Sequence, residues 1–580
     1  MLGTAVALSI LGTACVNDDY DLSDIDTTTQ VRVDDLVIPV NISDVTMGDI
    51  ISYDDDSKIK PVTIGGKTFY ALSETGTFSS KEIEVAAVTA SAPVLSSTER
   101  YLDPVAAPAP ARSAASVTYE ISSMGNDVDY RAGSVDDAIV SISSIRTEML
   151  FAIDLNILED IDAISSVVFD DVRIQMPVGL DADSRDGSYD PATGVWTVAR
   201  LDAGASASTR VELHVHGIDF VQSGTTIDDS RRLSYSGEFR ILGGTVTLGI
   251  DGAAPDRLHF RADYRLTDMV ATAFSGVISY HLEGLDIAPV RLTDLPDFLT
   301  GEGTDITLSA PQIYLGVNNP VAANSLDCAA GLTLTALRDN APAQAFSLDG
   351  GRSFEVGHDH GVAGPYNFVL TPPSVSELNT PAKYEANLKR VDFTSLSGLL
   401  AAPAGSAAAG LPTQIDIHLD NPRIPTSPVT DFALGRKLPG VEGTYELVAP
   451  LSITAGSRIV YTDKLDGWSD ETLDALTIST LSLTATVSNN TPLAVELFAW
   501  PIDVDGRRIP GVEVRSTRLA AGAADAPVTI DMTGTVTGLD GVEIEARVEG
   551  SADDSALTPS QRLILKNIRA RVSGYYEKEF

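Results

Sequence analysis

Apolar and polar residues alternate at every second position through much of this chain. A period of two places successive side chains on opposite faces of a strand, one face in the core and the other in water. Asp-Gly and Gly-Gly pairs, which favour tight turns, separate many of these runs. The sequence therefore predicts a mainly β protein built from several tandem β-sandwich domains. Representative runs are Val246/Leu248/Ile250, Ile313/Leu315/Val317, Ile415/Ile417/Leu419 and Leu481/Leu483/Ala485/Val487.

Three similar segments follow alternating runs in the second half of the chain. They are Asn318-Asn319-Pro320, Asp420-Asn421-Pro422 and Asn489-Asn490-Thr491-Pro492. Asparagine tolerates left-handed backbone and proline cannot donate to a ladder, so each segment is predicted to end a strand. The similarity of these segments has two explanations: related sandwich domains, or independent use of the same turn.

The last strand is predicted to contain a bulge. Leu563 and Leu565 alternate in one phase, whereas Ile568 and Ala570 alternate in the other. One extra residue near Lys566-Asn567 would restore both runs to the same face of the sheet.

The charge of the chain limits its partners. The 40 Lys and Arg residues oppose 81 Asp and Glu residues, which gives a formal net charge of −41. Such a field repels phosphate backbones, so we expect no nucleic-acid partner.

The start of the sequence resembles the end of a bacterial lipoprotein signal peptide. Residues 2–14 are uncharged and mostly apolar, and small residues precede Cys15 in Leu11-Gly12-Thr13-Ala14-Cys15. The resemblance to a lipobox implies that Cys15 is lipidated and anchors the protein to a membrane without spanning it. Leu11 lies one place further from the cysteine than is usual, and a basic start is missing. A buried N-terminal strand or helix is the alternative.

An acidic stretch follows Cys15. The sequence Val16-Asn17-Asp18-Asp19-Tyr20-Asp21 continues to Asp26 and resembles the surface-export signal of Bacteroidetes-type lipoproteins. This resemblance implies a lipid-anchored protein on the outside of the outer membrane. A solvated tether that holds the first domain away from lipid headgroups is the alternative. The other cysteine, Cys328, is expected to be a buried small hydrophobic residue.

One segment resembles the Ig-like repeat of bacterial surface proteins. Val172, Ile174 and Met176 alternate as a strand, a hairpin bearing Trp196 follows, and a Gly204-Ala205-Ser206 turn precedes the last strand. The resemblance covers about 70 residues and implies a β-sandwich without catalytic chemistry. It supports Ig-like folds for the tandem sandwiches.

At 580 residues the chain is too long for one hydrophobic core. The division that we predict is a signal remnant at 1–14, lipidated Cys15 with the acidic tether at 15–36, an N-terminal β domain at 37–145, an Ig-like sandwich region at 146–290, a further sandwich region at 291–435 and a C-terminal sandwich at 436–580.

Few residues in the sequence suggest chemistry. His358 and His360 flank Asp359 in a glycine-bounded loop, and they are weak candidates for metal ligands that would need a distant partner. His214 and His216 alternate with apolar residues and are expected on a solvated strand face. No nucleophile elbow, zinc-protease motif or C-x-x-C pair is present, so we expect no catalytic residue and no cofactor.

The three tryptophans bear on carbohydrate binding because sugar faces stack on aromatic rings. Trp468 lies beside Asp466-Gly467 in a turn and is the candidate ligand contact, although a packing role is also open. Trp500 is expected in the core, and Trp196 could be in the core or on the surface.

These observations favour a non-enzymatic, lipid-anchored cell-surface protein with a structural, adhesive or partner-binding role. Its partners would be the outer membrane, through the lipid, and a protein or glycan ligand. The alternatives are a polysaccharide-binding protein for nutrient uptake and a metal-assisted hydrolase that uses His358 and His360.

Overall fold

A computed structural model describes most of the chain. The described residues are 28–39, 45–46, 57–105, 116–159, 164–292, 308, 311–338, 342–401, 411–452, 455–456, 458–550 and 556–579. Regular structure among them is almost entirely β-strand in antiparallel sheets, so the predicted mainly β fold is confirmed. None of the helices in these ranges has the length and apolar character needed to cross a membrane.

The strands are numbered in chain order. The first eighteen are β1 (Thr28–Pro39), β2 (Val45–Thr46), β3 (Ile59–Ile64), β4 (Lys67–Ser79), β5 (Ile83–Glu84), β6 (Thr89–Ala90), β7 (Thr98–Leu102), β8 (Ser116–Ile121), β9 (Met124–Ala132), β10 (Ile139–Ile157), β11 (Ile164–Gln175), β12 (Leu180–Asp183), β13 (Ser188–Asp190), β14 (Val195–Gly204), β15 (Ser208–Asp219), β16 (Leu233–Ile250), β17 (Leu258–Leu266) and β18 (Met269–His281). The others are β19 (Val290–Arg291), β20 (Gln312–Val317), β21 (Cys328–Leu337), β22 (Gln344–Ser347), β23 (Phe354–Val356), β24 (Tyr366–Thr371), β25 (Lys389–Asp392), β26 (Gln414–Ala433), β27 (Lys437–Leu438), β28 (Glu442–Pro450), β29 (Arg458–Leu465), β30 (Thr477–Asn489), β31 (Ala494–Ile502), β32 (Glu513–Arg515), β33 (Thr517–Leu519), β34 (Ala526–Val536), β35 (Gly541–Glu549) and β36 (Arg562–Glu579).

The helices are short. They are α1 (Phe220–Ser223) and α2 (Glu471–Asp474), together with the 3-10 helices Ala322–Asn324, Asp349–Gly351, Asp359–Gly361, Ala382–Tyr384 and Thr394–Gly398. Each α-helix begins after an aspartate whose side chain accepts hydrogen bonds from N–H groups of the first turn, Asp219 for α1 and Asp470 for α2.

The described residues form two compact units. The central unit contains those of 57–292 and 308–450, and the terminal unit contains those of 28–46 and 451–579.

One long sheet, here called the spanning sheet, runs through the central unit. Its main strand order is β12-β15-β10-β18-β26-β21-β22. One half packs against the first partner sheet, of order β13-β14-β11-β16-β8, through contacts such as the 5.4 Å edge-to-face pair of Phe151 and Phe239. The other half packs against the second partner sheet, of order β25-β24-β20-β28-β4-β3, where Phe354 meets Phe368 at 5.5 Å.

The two sandwiches of the central unit are joined by a hydrogen-bonded ladder. β18 pairs with β26 from Ala273↔Ala433 to His281↔Arg423, with register shifts along the way. Because the ladder is continuous, both sandwiches share one sheet instead of being separated by a linker.

The Trp196 hairpin lies in the first of these sandwiches. β11 pairs with β14, and Ile174 lies opposite Trp196, which is completely buried. The chain then leaves the first partner sheet and enters the spanning sheet as β15. The segment therefore forms part of a sandwich, as the resemblance implied.

The terminal unit is a separate sandwich. A sheet of order β1-β36-β30-β34-β32 faces a sheet of order β29-β35-β31-β33 across an apolar core that contains Leu481, Leu497 and Met532. Between Thr484 and Thr486, β36 contributes one extra residue, and Asn567 there has a φ of 55°. The bulge predicted near Lys566-Asn567 is confirmed.

The predicted strand endings hold at two of the three segments. β20 ends just before Asn318, and β30 ends at Asn489. The prediction is wrong at Asp420-Asn421-Pro422, because β26 continues through it. There the register against β21 shifts and Asn421 has a φ of 45°, so the segment forms a bulge inside a long strand.

Candidate binding cleft

A row of three polar side chains and one glycine crosses four neighbouring strands of the second partner sheet. Thr77 of β4 lies opposite Thr444 of β28, Thr444 lies opposite Gly316 of β20, and Gly316 lies opposite Asn367 of β24. Neighbouring strands are about 4.8 Å apart, so the row presents evenly spaced groups. We call these four residues the polar row.

The other face of the same strands explains why two further glycines occur here. Phe78 lies opposite Gly443, and a Cβ at Gly443 would be 2.1 Å from the Phe78 ring. Tyr445 lies opposite Gly76, where a Cβ would be 2.3 Å from the Tyr445 ring. Each aromatic ring therefore occupies the space that a side chain on the opposing glycine would need. This arrangement fixes the register that forms the polar row.

A short helical turn borders the polar row. Tyr384, at the end of the 3-10 helix Ala382–Tyr384, is buried and stacks on Tyr314 at 5.6 Å. Its hydroxyl lies 3.2 Å from Oγ1 of Thr444. A Cβ at Gly316 would be 3.2 Å from the Tyr384 ring, so glycine at this position allows the ring to approach the sheet.

Lys383 is held by a carboxylate of the sheet. Its Nζ lies 2.8 Å from Glu446 and 4.9 Å from the centre of the Tyr384 ring. Burial lowers the pKa of Lys383, but the hydrogen bond to Glu446 and its charge outweigh that effect, so the pKa is raised. The amine is therefore kept in its charged form.

Between the strands and this turn lies an open cleft of about 720 Å³. Its lining combines polar and carbon surface in similar amounts, and its size falls within the range of small-molecule sites. Besides the polar row, two exposed carboxylates line the cleft, Asp286 and Glu442. The other lining residues are Phe78, Ser79, Asn318, Pro365, Lys383, Tyr384 and Gly443. Since Lys383 is compensated by Glu446, the lining carries excess negative charge.

Asn367 is a buried residue of the cleft. It is 2% exposed, and its Nδ2 donates to the carbonyl of Ala386 at 2.8 Å. Its Oδ1 is also buried and accepts no hydrogen bond from the described residues. A buried acceptor without a donor costs about 1–3 kcal/mol, so this oxygen marks a place where a ligand could supply a donor.

His358, His360 and Trp468, the predicted site residues within the described ranges, do not line this cleft. Cys15 falls outside the described residues. His358 precedes the 3-10 helix Asp359–Gly361, and its Nδ1 lies 2.6 Å from Oδ1 of Asp327. His360 lies within that helix. In the described part of the chain, no cluster of three or more His, Cys, Asp or Glu side chains is arranged to hold a metal ion.

Trp468 is half-buried and packs against the core of the terminal unit. Its backbone N–H donates to the carbonyl of Asp540 at 2.7 Å. These contacts show that Trp468 packs, while its role as a ligand contact stays a prediction.

His214 and His216 are exposed, while Val211, Leu213 and Val215 are buried, so the predicted solvated strand face is confirmed. His216 lies between Asp183 and Glu148, at 3.2 and 3.3 Å. These bonds, the one to Asp183 foremost, raise the pKa of His216.

The prediction that Trp500 lies in the core is wrong. Trp500 is half-buried on the outer face of β31 and stacks beside Phe498 at 5.5 Å. The guanidinium groups of Arg508 and Arg547 lie over the two rings, at 3.7 and 4.0 Å from their centres. Glu545 accepts a hydrogen bond from each arginine. Charged side chains therefore cover these rings.

Sequence reasoning missed the cleft because its residues come from distant parts of the chain. One signal was available: the hydroxyl residues Thr75, Thr77 and Ser79 occupy every second position of one run. Glycines interrupt two other alternating runs, at Gly316 and Gly443. Without the register between strands, that signal cannot be recognised as one surface.

No protein-family model matches the chain, and no curated protein matches it. Among solved structures, the chain is similar to a "putative secreted protein" from Parabacteroides distasonis, with 15% identity over 52% of this chain and 90% of that one and a TM-score of 0.36. A triple jelly roll protein of an archaeal virus turret shows 8% identity over 84% of this chain and 90% of that one, with a TM-score of 0.09. Both TM-scores are too low to transfer fold or function to this chain.

Proposed function

We propose that this protein is a non-enzymatic binding protein of the cell surface, held in the outer membrane by a lipid on Cys15, and that the cleft beside the polar row receives its ligand. The observation that carries the binding role is the cleft itself, which measures about 720 Å³, is lined by exposed hydroxyl and carboxylate groups as well as carbon surface, and contains a buried acceptor on Asn367. The lipobox-like run and the acidic stretch behind it support the location.

The architecture of the central unit supports a presenting role. Two sandwiches share the spanning sheet, so the second partner sheet and its cleft are supported by a continuous hydrogen-bonded framework. Sites built on paired strands keep their geometry better than sites on loops. A pre-formed cleft loses little conformational entropy when it binds a ligand.

The chemistry of the cleft supports binding over catalysis. A nucleophilic amine would need to be neutral, but Lys383 is kept charged by Glu446. The hydroxyl groups of Thr77 and Thr444 lie on exposed strand positions, where they can donate and accept hydrogen bonds.

The location is tested by fractionation and protease accessibility. Wild-type protein should be found with the outer membrane and should be digested on intact cells, whereas the Cys15→Ser variant should be released from membranes. Unchanged fractionation of the variant would contradict lipid anchoring. Digestion of the wild type only after the outer membrane is opened would contradict surface exposure.

The binding role is tested with the full chain carrying Cys15→Ser, applied to arrays of glycans, peptides and extracellular proteins. Ser79→Arg places a long charged side chain at the cleft and should abolish saturable binding. Thr533→Arg, on an exposed position of β34 in the terminal unit, is the matched control and should bind normally. Binding that survives Ser79→Arg would contradict the cleft, and chemical conversion of a bound probe would contradict a non-enzymatic role.

The hydrolase alternative has a test of its own. Metal analysis of protein prepared without chelators should show less than stoichiometric metal. A stoichiometric ion that is lost in the His358→Ala variant would favour the hydrolase instead.

A further inference from the structure

We propose that the ligand of the cleft is a neutral saccharide whose hydroxyl groups bind along the polar row. This inference rests on the proposed binding function and adds the chemical class of the ligand and the residues that select it.

The floor of the cleft carries neutral groups. Thr77 and Thr444 offer two exposed hydroxyls in one line across the sheet, and the buried amide of Asn367 continues the line beyond Gly316. Hydroxyl and amide groups both donate and accept hydrogen bonds. Sugar hydroxyls do the same, so a row of such groups matches a ring that carries several hydroxyls in sequence.

The charges of the lining argue against an anionic ligand. Asp286 and Glu442 are exposed at the cleft, and the positive charge of Lys383 is compensated by Glu446. A phosphate or carboxylate entering the cleft would meet excess negative charge, and no cation other than Lys383 is among its described lining residues. Exposed carboxylates can instead accept hydrogen bonds from neighbouring hydroxyls of a neutral sugar.

The buried oxygen of Asn367 points to a ligand that donates. Oδ1 would be 3.1 Å from a Cβ on Gly316, and Oγ1 of Thr444 would be 3.2 Å from the same point. The two oxygens therefore flank the bare backbone of Gly316. Oδ1 of Asn367 is buried here and accepts no hydrogen bond from the described residues. A neutral amide oxygen at the floor suits a hydroxyl donor better than a cation, which prefers a carboxylate.

The test measures affinity for neutral oligosaccharides, sialylated or sulfated glycans, and Lys- and Arg-rich peptides, using the full chain with Cys15→Ser. Thr77→Val and Ser79→Ala, combined, remove two hydroxyls from exposed positions of β4 without touching Tyr384. Affinity for a neutral glycan should fall about tenfold, as expected for two hydrogen bonds. Thr75→Val, on an exposed position two residues away and outside the cleft, is the control and should leave affinity unchanged.

The outcomes separate this inference from the proposed function. Neutral glycan binding that is weakened by the double variant and not by the control supports both. If the chain binds only basic peptides, anionic glycans or proteins, and Ser79→Arg blocks that binding, the neutral saccharide is overturned as the ligand. The proposed binding function then stands. Glycan binding that neither Ser79→Arg nor the double variant affects would overturn the cleft as the saccharide site. Absence of binding to every probe would count against both proposals.

Discussion

Asn319 of the central unit and Asn489 of the terminal unit make matching sets of hydrogen bonds where a strand ends. Each side chain is fully buried. In each, Oδ1 accepts from the backbone N–H two residues later, Nδ2 donates to a carbonyl at 2.7 Å, and the residue's own N–H donates to a carbonyl of a neighbouring loop. The partners are Val321, Leu326 and Ala363 for Asn319, and Thr491, Leu493 and Ala523 for Asn489. The shared pattern favours related sandwiches over chance use of one turn.

The first prediction concerns this buried amide. Asn489→Ala should lower the free energy of unfolding of the terminal unit by about 2–3 kcal/mol, because the backbone N–H of Thr491 loses its acceptor and the carbonyls of Leu493 and Ala520 each lose one donor inside the protein. Denaturant unfolding of the full chain measures the change. Asn490→Ala, at the exposed neighbouring position, is the control and should change stability by less than about 0.5 kcal/mol. Equal effects of the two variants would contradict the role given to Asn489.

The second prediction concerns the ring that fills the space over a glycine. Gly443→Ala should destabilise the central unit by about 1–3 kcal/mol, because the new Cβ collides with Phe78. Phe78→Ala alone should cost about 3–5 kcal/mol through the cavity it leaves. The double variant should cost less than the sum, since removal of the ring makes room for the methyl group. Strict additivity in a double-mutant cycle would show that the two residues do not share this space.

The third prediction concerns Glu545, which is 6% exposed and bound by Arg508 and Arg547. Burial raises the pKa of Glu545, but the bonds from the two arginines outweigh it, and the pKa is lowered. The stabilisation is therefore present above the pKa of the unfolded state, near 4.3, and is lost as the pH falls through the lower folded value.

Glu545→Gln should thus destabilise the terminal unit by about 1–2 kcal/mol at pH 7. This loss is smaller than for a fully buried ion pair because both arginines are partly exposed to water. The difference from wild type should shrink below about pH 4, as followed by denaturant unfolding across pH. Glu513→Gln, on an exposed position of β32, is the control and should show no such trend. A difference that stays constant with pH would contradict an ionised Glu545 as the cause.

The fourth prediction concerns His216. Because the pKa of His216 is raised by Asp183 and Glu148, its contribution to stability is full below about pH 6.5 and is lost as the pH rises through the folded value. NMR titration of the imidazole should give a higher midpoint in wild type than in Asp183→Asn, with Glu148→Gln having the smaller effect. Since the site is exposed, His216→Gln should cost less than about 1 kcal/mol at pH 5.5 and nothing measurable at pH 9. A midpoint that does not move in Asp183→Asn would contradict the pairing.

Local patterns in the sequence were sufficient to predict features that depend on residues close together in the chain. The exposed face at His214 and His216, the burial of Cys328 and the bulge near Asn567 all follow from which residues alternate and where the phase changes. The prediction for Trp500 was wrong because alternation assigns a residue to a face without showing what covers it. Arg508 and Arg547 come from other segments and lie over the rings.

The sequence by itself determined that this chain forms strands with one buried and one polar face, because alternation sets which side of each strand leaves water. The tertiary structure alone decided which strands are neighbours. β1 pairs with β36 from the other end of the described chain, and β4 joins β28 to complete the polar row. Register between such distant segments depends on packing across them, such as Phe78 over Gly443, and no local pattern encodes it. The cleft exists because of that register.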